Sequence, residues 1–318
     1  MLFYARQNLG IAEWKIRRIL SLLIVAYLFL GGAGAGAFAV LACIDARFFG
    51  IRGLSWIPSH TGSVEKRYLS LLVKRGYVVS FAALALGAVC LLADLGRPEI
   101  AYMLFTQPTF SYISVGTYSL AALMLCALYF VIIGQFALPR FLNRAKPAML
   151  LIGFVSALSV MTYTGVFLQS MRSIALWNSP WLIVLFVLSA LSTGIALVLL
   201  CSGGLCLKRM GSALSKRLAQ VDLVVIILEI VACLAYLVSV ADTELGAKSV
   251  ERLLVGDTAL VFVGGFMLCG LVTPGIMDAI SIKRQHDERL DAALACLVLV
   301  GGFCLRLGLF EARIHSGT

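Results

Sequence analysis

The sequence predicts an all-α, polytopic membrane protein with eight transmembrane helices arranged as two four-helix bundles, and three observations carry that expectation. Of 318 residues, 61% are hydrophobic and only 13% charged, too little polar surface to cover a soluble globule of this size. The apolar residues fall into eight long runs, at about 19–44, 70–93, 111–137, 147–170, 180–205, 221–241, 257–279 and 290–310. Each run is near the ~20 residues that a helix needs to cross a ~30 Å hydrocarbon core. The runs are continuous rather than alternating, which excludes an outer-membrane barrel.

Taken in order, the first run follows Lys15, Arg17 and Arg18 and contains the small residues Gly34 to Ala37, a pattern shared with signal peptides. At 26 uncharged residues it is too long for a removable apolar core and reads as an uncleaved first helix. Gly32 and Gly36 give it a small-x-x-x-small face suited to close helix packing. The second run ends in Asp94-Leu95-Gly96-Arg97-Pro98, where proline stops the helix and a charged pair stands at the membrane mouth. The fourth ends in Tyr163-Thr164-Gly165 and continues through Gln169 to Arg172. The turn around Asn178, Ser179 and Pro180 then divides residues 1–175 from 176–318, one four-helix bundle each. The sixth run holds Asp222 and Glu229, the seventh ends near Asp278, and the eighth is interrupted by Arg306, which makes it the weakest span. The longest connections, about 45–69 and 94–110, are too short for an attached soluble domain.

The net charge of +10 does not point to nucleic acid, because Lys and Arg are spread over the connections between runs, where they meet lipid headgroups and set topology. Ten of them fall on the side of the N-terminus, loops 2, 4 and 6 and the tail; sixteen fall on the other. Loops 1, 3, 5 and 7 are therefore expected in the cytoplasm and both termini outside, although Arg17 and Arg18 pull the other way. The nine cysteines lie mostly inside runs, with no C-x-x-C spacing, and read as small apolar packers. His60, His286 and His315 all fall in loops or the tail, so no axial haem ligands are expected within helices. No phosphate-binding glycine loop, zinc spacing or nucleophile elbow occurs. Neither haem nor an iron–sulfur cluster is expected in this chain.

Two sets of residues could carry chemistry. At the outer end, Arg97 could hydrogen-bond the carbonyl of a quinone while Asp94 takes or gives the proton that accompanies each electron. The plainer reading is a clasp three residues apart that fixes the turn. Tyr163, Gln169 and Arg172 converge on the same end, although buried tyrosines and terminal arginines commonly serve packing and headgroup contact. The second set is Glu229, near mid-membrane, where a charge costs about 3 kcal/mol and must be neutralised or paired, with Asp222 two turns away on the same face and Asp278 beyond. These could begin a proton pathway, or Glu229 could simply bond a neighbouring helix. A transporter or permease and a purely structural anchor are the competing functions. Matching broken helices in two repeats, the usual transporter sign, are not evident.

With these residues in view, the chain resembles the NrfD and polysulfide reductase membrane subunits. The resemblance rests on Tyr27-Leu28-Phe29-Leu30-Gly31-Gly32, Asp94 through Pro98, Pro108 to Tyr118 with Ser114-Val115-Gly116, Tyr163-Thr164-Gly165, and Pro180 through Ser189, Leu191, Ser192, Gly194 and Ala196. It spans roughly residues 20–200. It implies a subunit of a bacterial or archaeal cytoplasmic membrane, built as two four-helix bundles, that exchanges electrons between quinone (menaquinone or ubiquinone) and a docked four-cluster, ferredoxin-like iron–sulfur subunit. That subunit would serve a catalytic one, commonly molybdopterin-containing, or in other members a multihaem cytochrome. The resemblance places the quinone beside the second-helix Asp and fourth-helix Tyr, here Asp94 and Tyr163. One departure stands out: where relatives can present His or Asn at the head of helix 1, this chain has Ile19 and Leu20.

Overall fold

In hydrocarbon every backbone N–H and C=O must be satisfied within its own segment, so long apolar runs can only become helices. The computed structural model describes residues 2–48, 63–94, 112–136, 140–171, 174–202, 211–281 and 288–312, with side chains described for 22–46, 68–94, 114–136, 144–171, 174–202, 216–280 and 290–312. Arg97, Arg172 and the side chains of Ile19 and Leu20 lie outside the described residues. The helices are α1 (Leu2–Phe48), α2 (Ser63–Asp94), α3 (Tyr112–Gln135), α4 (Arg140–Ser170), α5 (Trp181–Ser202), α6 (Gly211–Ala241), the short α7 (Glu244–Leu254), a π-helical run Leu260–Val272 leading into α8 (Thr273–Ser281), and α9 (Glu288–Glu311). Among the described residues, eight segments are long and apolar enough to cross a membrane, matching the eight runs of the sequence. The chain is all-helical and multi-pass.

The central element is α1, whose residues 31–42 are all buried. Only a helix of small residues can occupy that place, because it packs extensively on α2, α4 and α5 and also reaches α9. Lipid tails give no hydrophobic advantage to helix contact, so tight van der Waals packing must hold these helices together. The crossing of α1 with α5 is the closest. A Cβ on Gly36 would overlap the carbonyl oxygen of Ala190, and one on Gly194 would overlap the backbone of Gly36 and Ala37. Against α2, α1 runs antiparallel: Cβ atoms built on Gly34 and Gly87 would come within 3.2 Å of the backbone nitrogens of Leu84 and Gly31. That register puts Leu91 level with Tyr27.

The connection between α4 and α5 is pinned by three hydrogen bonds to α6 and α9. Buried Trp177 donates its indole N–H to the carbonyl of Leu309 at 3.1 Å, Tyr236 donates its hydroxyl to the carbonyl of Leu176 at 2.6 Å, and Ser179 donates to the hydroxyl of Ser239 at 3.1 Å. Beside it lies α7, a helix absent from the sequence expectations. Thr243 caps it by accepting from Gly246 N–H at 3.2 Å, and Glu244 and Arg252 complement its two ends. Gly246, Ser249 and Leu253 face inward, the pattern of a helix lying along the membrane surface.

Two expectations are refined. The seventh run, read as one helix from 257 to 279, is a π-helical coil followed by α8. Pro274 has no N–H to return to the Gly270 carbonyl, and Gly264, Gly265 and Gly270 leave room for the wider coil. The eighth run spans the membrane as Leu290–Glu311 with Arg306 fully inside, 1% exposed.

Replacing Gly194 with Leu is expected to cost roughly 1–3 kcal/mol or more through overpacking, seen as a lower thermal midpoint and a smaller monodisperse fraction in detergent. Gly264→Ala, at a position with nothing within 4 Å, is expected to leave both unchanged. Equal behaviour of the two variants would refute the close crossing.

Candidate functional site

At the end of the bundle where α2 and α4 finish, α1 brings Tyr27 to Tyr163 of α4. The two phenol hydroxyls face each other and interact electrostatically. Tyr27 is 5% exposed and Tyr163 half-buried. The ring of Tyr163 lies directly on Gly116 of α3, where a Cβ would overlap its carbons, and it leans on Phe167 with ring centroids 5.9 Å apart. Gly116 therefore sets how deeply the ring can enter the α3–α4 contact. Asp94 is the last residue of α2 and is half-buried. By the α1–α2 register its backbone stands about one turn, ~4.5 Å, further out than the level of Tyr27. Gln169, half-buried on α4, is six residues or ~9 Å beyond Tyr163. Asp94, Tyr163 and Gln169 thus share one end of the molecule, and the direct contact of Tyr163 is with Tyr27.

Deeper in the molecule, the acidic residues of α6 sit in a line of buried polar groups. Glu229 is 2% exposed and faces the hydroxyl of Ser189 on α5. The same hydroxyl accepts from Arg306 Nη1 at 3.3 Å. Arg306 also donates from Nε to the carbonyl of Leu28 at 3.2 Å and from Nη1 to the carbonyl of Gly302 at 2.7 Å. Its guanidinium carbon is 5.2 Å from the ring centre of Phe186 and 5.7 Å from that of Phe29; its Nη2 lacks a hydrogen-bond partner. A Cβ at Gly32 would meet this Nη2 at 2.9 Å, so one glycine of the small-residue face makes room for the cation. Two turns down α6 from Glu229, Asp222 accepts from the Ser192 hydroxyl at 2.8 Å and is 2% exposed. Asp222 interacts electrostatically with Asp278 of α8, and Asp278 in turn with Asp291 of α9.

The acidic set expected from the sequence is thus gathered in one region, whereas the partners that complete it were not foreseen. Arg306 registered only as an interruption of the last run, although an ionisable residue inside a span is itself a signal of a paired or functional group. Ser189 and Ser192, three apart on α5, were legible as a polar stripe in an otherwise apolar helix. Tyr27 stood in a recognised motif with no role attached.

Breaking a buried charged network leaves the surviving partner uncompensated, at a cost of about 3–5 kcal/mol. Arg306→Leu is therefore expected to destabilise the protein strongly. The double variant with Glu229→Leu is expected to be more stable than the sum of the single losses by about 1 kcal/mol or more in a thermal double-mutant cycle; strict additivity would show that the two groups do not communicate through Ser189.

Comparison with known proteins agrees with this architecture. Over 320 aligned residues, the protein is 27% identical to the C subunit of the polysulfide reductase of Wolinella succinogenes, with 91% of the present sequence and 92% of the relative covered. It is 24% identical to the NrfD homolog of Haemophilus influenzae, again over 91% and 92% of the two sequences. The family model described as polysulphide reductase, NrfD, matches residues 16–314, and the chain belongs to that family.

Proposed function

We propose that this protein is the quinone-interacting membrane subunit of a respiratory oxidoreductase complex. It would pass electrons between membrane quinone and a docked iron–sulfur subunit, which in turn serves a catalytic, molybdopterin-containing subunit. The observation that carries the reading is the facing pair of phenols Tyr27 and Tyr163, the latter seated on Gly116, at the same end as Asp94. A membrane quinone, as substrate, takes up two electrons and two protons to become the quinol. Phenol hydroxyls can donate to a carbonyl, and a carboxylate at the helix mouth can exchange protons with water, so the side chains present fit that chemistry. Tyr27 orients Tyr163 through its facing hydroxyl. Asp94, half-buried at the end of α2, holds or releases a proton at its carboxylate, with Arg97, Gln169 and Arg172 as further polar groups of the pocket. On this reading residues 1–175 form the bundle that carries the quinone site, both termini face outward, and residues 176–318 form the second bundle. Asp222, Glu229 and Asp278 supply a proton route from the opposite side toward it.

The test is made on the assembled complex. Asp94→Asn is expected to lower quinol-linked turnover by about 100-fold or more, the scale of general acid–base assistance. Tyr163→Phe is expected to lower it by at least about tenfold, the loss of one hydrogen bond. Reduction of the terminal substrate by a water-soluble artificial donor should be unaffected in both. Unchanged quinol turnover in both variants would end the proposal. For the proton route, Glu229→Gln and Asp222→Asn in proteoliposomes are expected to lower the protons moved per electron, with quinol oxidation still measurable. A wild-type ratio in both would remove these carboxylates from the path.

A further inference from the structure

At the other end of the bundle, the last turn of the α1 span faces a cavity of about 240 Å³ lined by Asp45, Lys74, Tyr77, Phe130 and Lys146. Asp45 is 4% exposed and Tyr77 1%. One carboxylate oxygen of Asp45 receives the Lys146 ammonium at 3.2 Å. Its Oδ2 and the Tyr77 hydroxyl both lack a hydrogen-bond partner, although the phenol faces the carboxylate. Two buried polar atoms in that relation suit an intervening hydroxyl, which can donate to the carboxylate and accept from the phenol at once. The Tyr77 ring stacks on Phe130 with centroids 4.5 Å apart and packs on Phe38 at 5.3 Å. These aromatics close the cavity toward mid-membrane, so it is not a branch of the acidic line on α6.

A second, larger cavity of about 700 Å³ adjoins it, sharing Lys74 and Gly134. Its rim carries Lys74 and Arg75, both exposed, and its wall is Val78, Val79, Leu197 and Leu200. Lys74 lays its stem over Gly134, where a Cβ would come within 3.3 Å of its Cγ. In sequence order α2 thus presents two cations, then the buried phenol, then an apolar wall, at the depth where a span begins at Tyr68.

We propose that the two cavities together bind one anionic glycerophospholipid whose headgroup bears a free hydroxyl, of the phosphatidylglycerol type. Lys74 and Arg75 take the phosphate, the Val78–Leu200 wall takes the upper acyl chain, and the headgroup hydroxyl bridges Asp45 Oδ2 and the Tyr77 hydroxyl. Charge complementarity selects a net-anionic headgroup over a zwitterionic one, and the unpartnered pair selects the hydroxyl. A choline headgroup offers neither donor nor acceptor there. Phosphatidic acid offers the charge without the extended headgroup alcohol. The proposal is independent of the quinone reading.

The experiment measures lipid binding to the delipidated, full-length protein in its complex by native mass spectrometry, with phosphatidylglycerol, phosphatidic acid and phosphatidylcholine, and with glycerol 3-phosphate as the soluble source of the same phosphate ester. Phosphatidylglycerol is expected to bind about tenfold more tightly than phosphatidic acid, one satisfied hydroxyl bridge, and phosphatidylcholine most weakly. Tyr77→Phe keeps the ring packing and is expected to fold; it should bring phosphatidylglycerol down to the level of phosphatidic acid. The exposed pair Lys74→Gln and Arg75→Gln should weaken both acidic lipids at least tenfold. Equal binding of phosphatidylglycerol and phosphatidic acid would mean that water alone fills the polar cavity, and overturns the proposal. So would full competition by glycerol 3-phosphate, or unaltered discrimination in Tyr77→Phe.

Discussion

The contact on which the rest of the molecule depends is the crossing of α1 over α5 at Gly36, Ala190 and Gly194. Any side chain at either glycine would drive the two backbones apart. Because α1 is buried along residues 31–42, its separation from α5 sets the position of everything attached to it. Between two and three turns back along α1, the carbonyl of Leu28 accepts from Arg306 and the hydroxyl of Tyr27 meets Tyr163. On α5, Ser189 immediately precedes the Ala190 crossing point, accepts a hydrogen bond from Arg306 and faces Glu229. Geometry at the Tyr27–Tyr163 end and around Arg306 is therefore fixed by one steric fact about two glycines, whose thin faces are what lipid-embedded helices need in order to gain packing energy.

That closeness also explains how a guanidinium can be buried. A cation in a membrane span costs about 2.5–3.5 kcal/mol on insertion scales. Arg306 offsets the cost with two backbone carbonyls, a hydroxyl, two aromatic faces and the nearby Glu229 carboxylate. These partners come from α1, α5, α6 and α9. Spreading them over four helices makes the cation a tie between the two halves of the sequence, so the order of the bundle at that depth and the satisfaction of the charge are one requirement.

The number of spans, the helical class and the acidic stripe of α6 were legible because each is written in local sequence: run length, continuity of apolar residues, and the i, i+7 spacing of Asp222 and Glu229. The residues that complete the polar regions were not, because their roles are created by contacts between distant segments. Arg306 reaches Leu28 across 278 residues, and no periodicity within α9 foretells a carbonyl on α1. Ser189 looked like any hydroxyl in an apolar helix. The π-helical run escaped for another reason: its residues satisfy a span by hydropathy whether the coil closes at four residues or five, and only the glycines and Pro274 hint at the wider one. Asp45 escaped notice because it stands at the end of a run, where polar residues are expected to meet water, whereas it is buried.

The position of Arg306 bears on how the two polar regions can coexist. The phenols and Asp94 lie at one end; Asp222, Asp278 and Asp291 lead to the other; a continuous wet path between them would let protons run down any gradient across the membrane. Between the regions stands a guanidinium whose carbonyls and aromatic neighbours fill the space around it. A second positive charge brought within about 4 Å of it would meet repulsion of about 4 kcal/mol at an effective dielectric constant of 20, a barrier of the kind that fixed arginines provide in water channels. A proton reaching Glu229 therefore meets its strongest attraction just before its strongest obstacle. Carboxylates arranged in this way are suited to taking up charge in step with events on the far side of the arginine, and poorly suited to free conduction. The buried cation thus stands at the depth where the proposed route would need a barrier to free conduction.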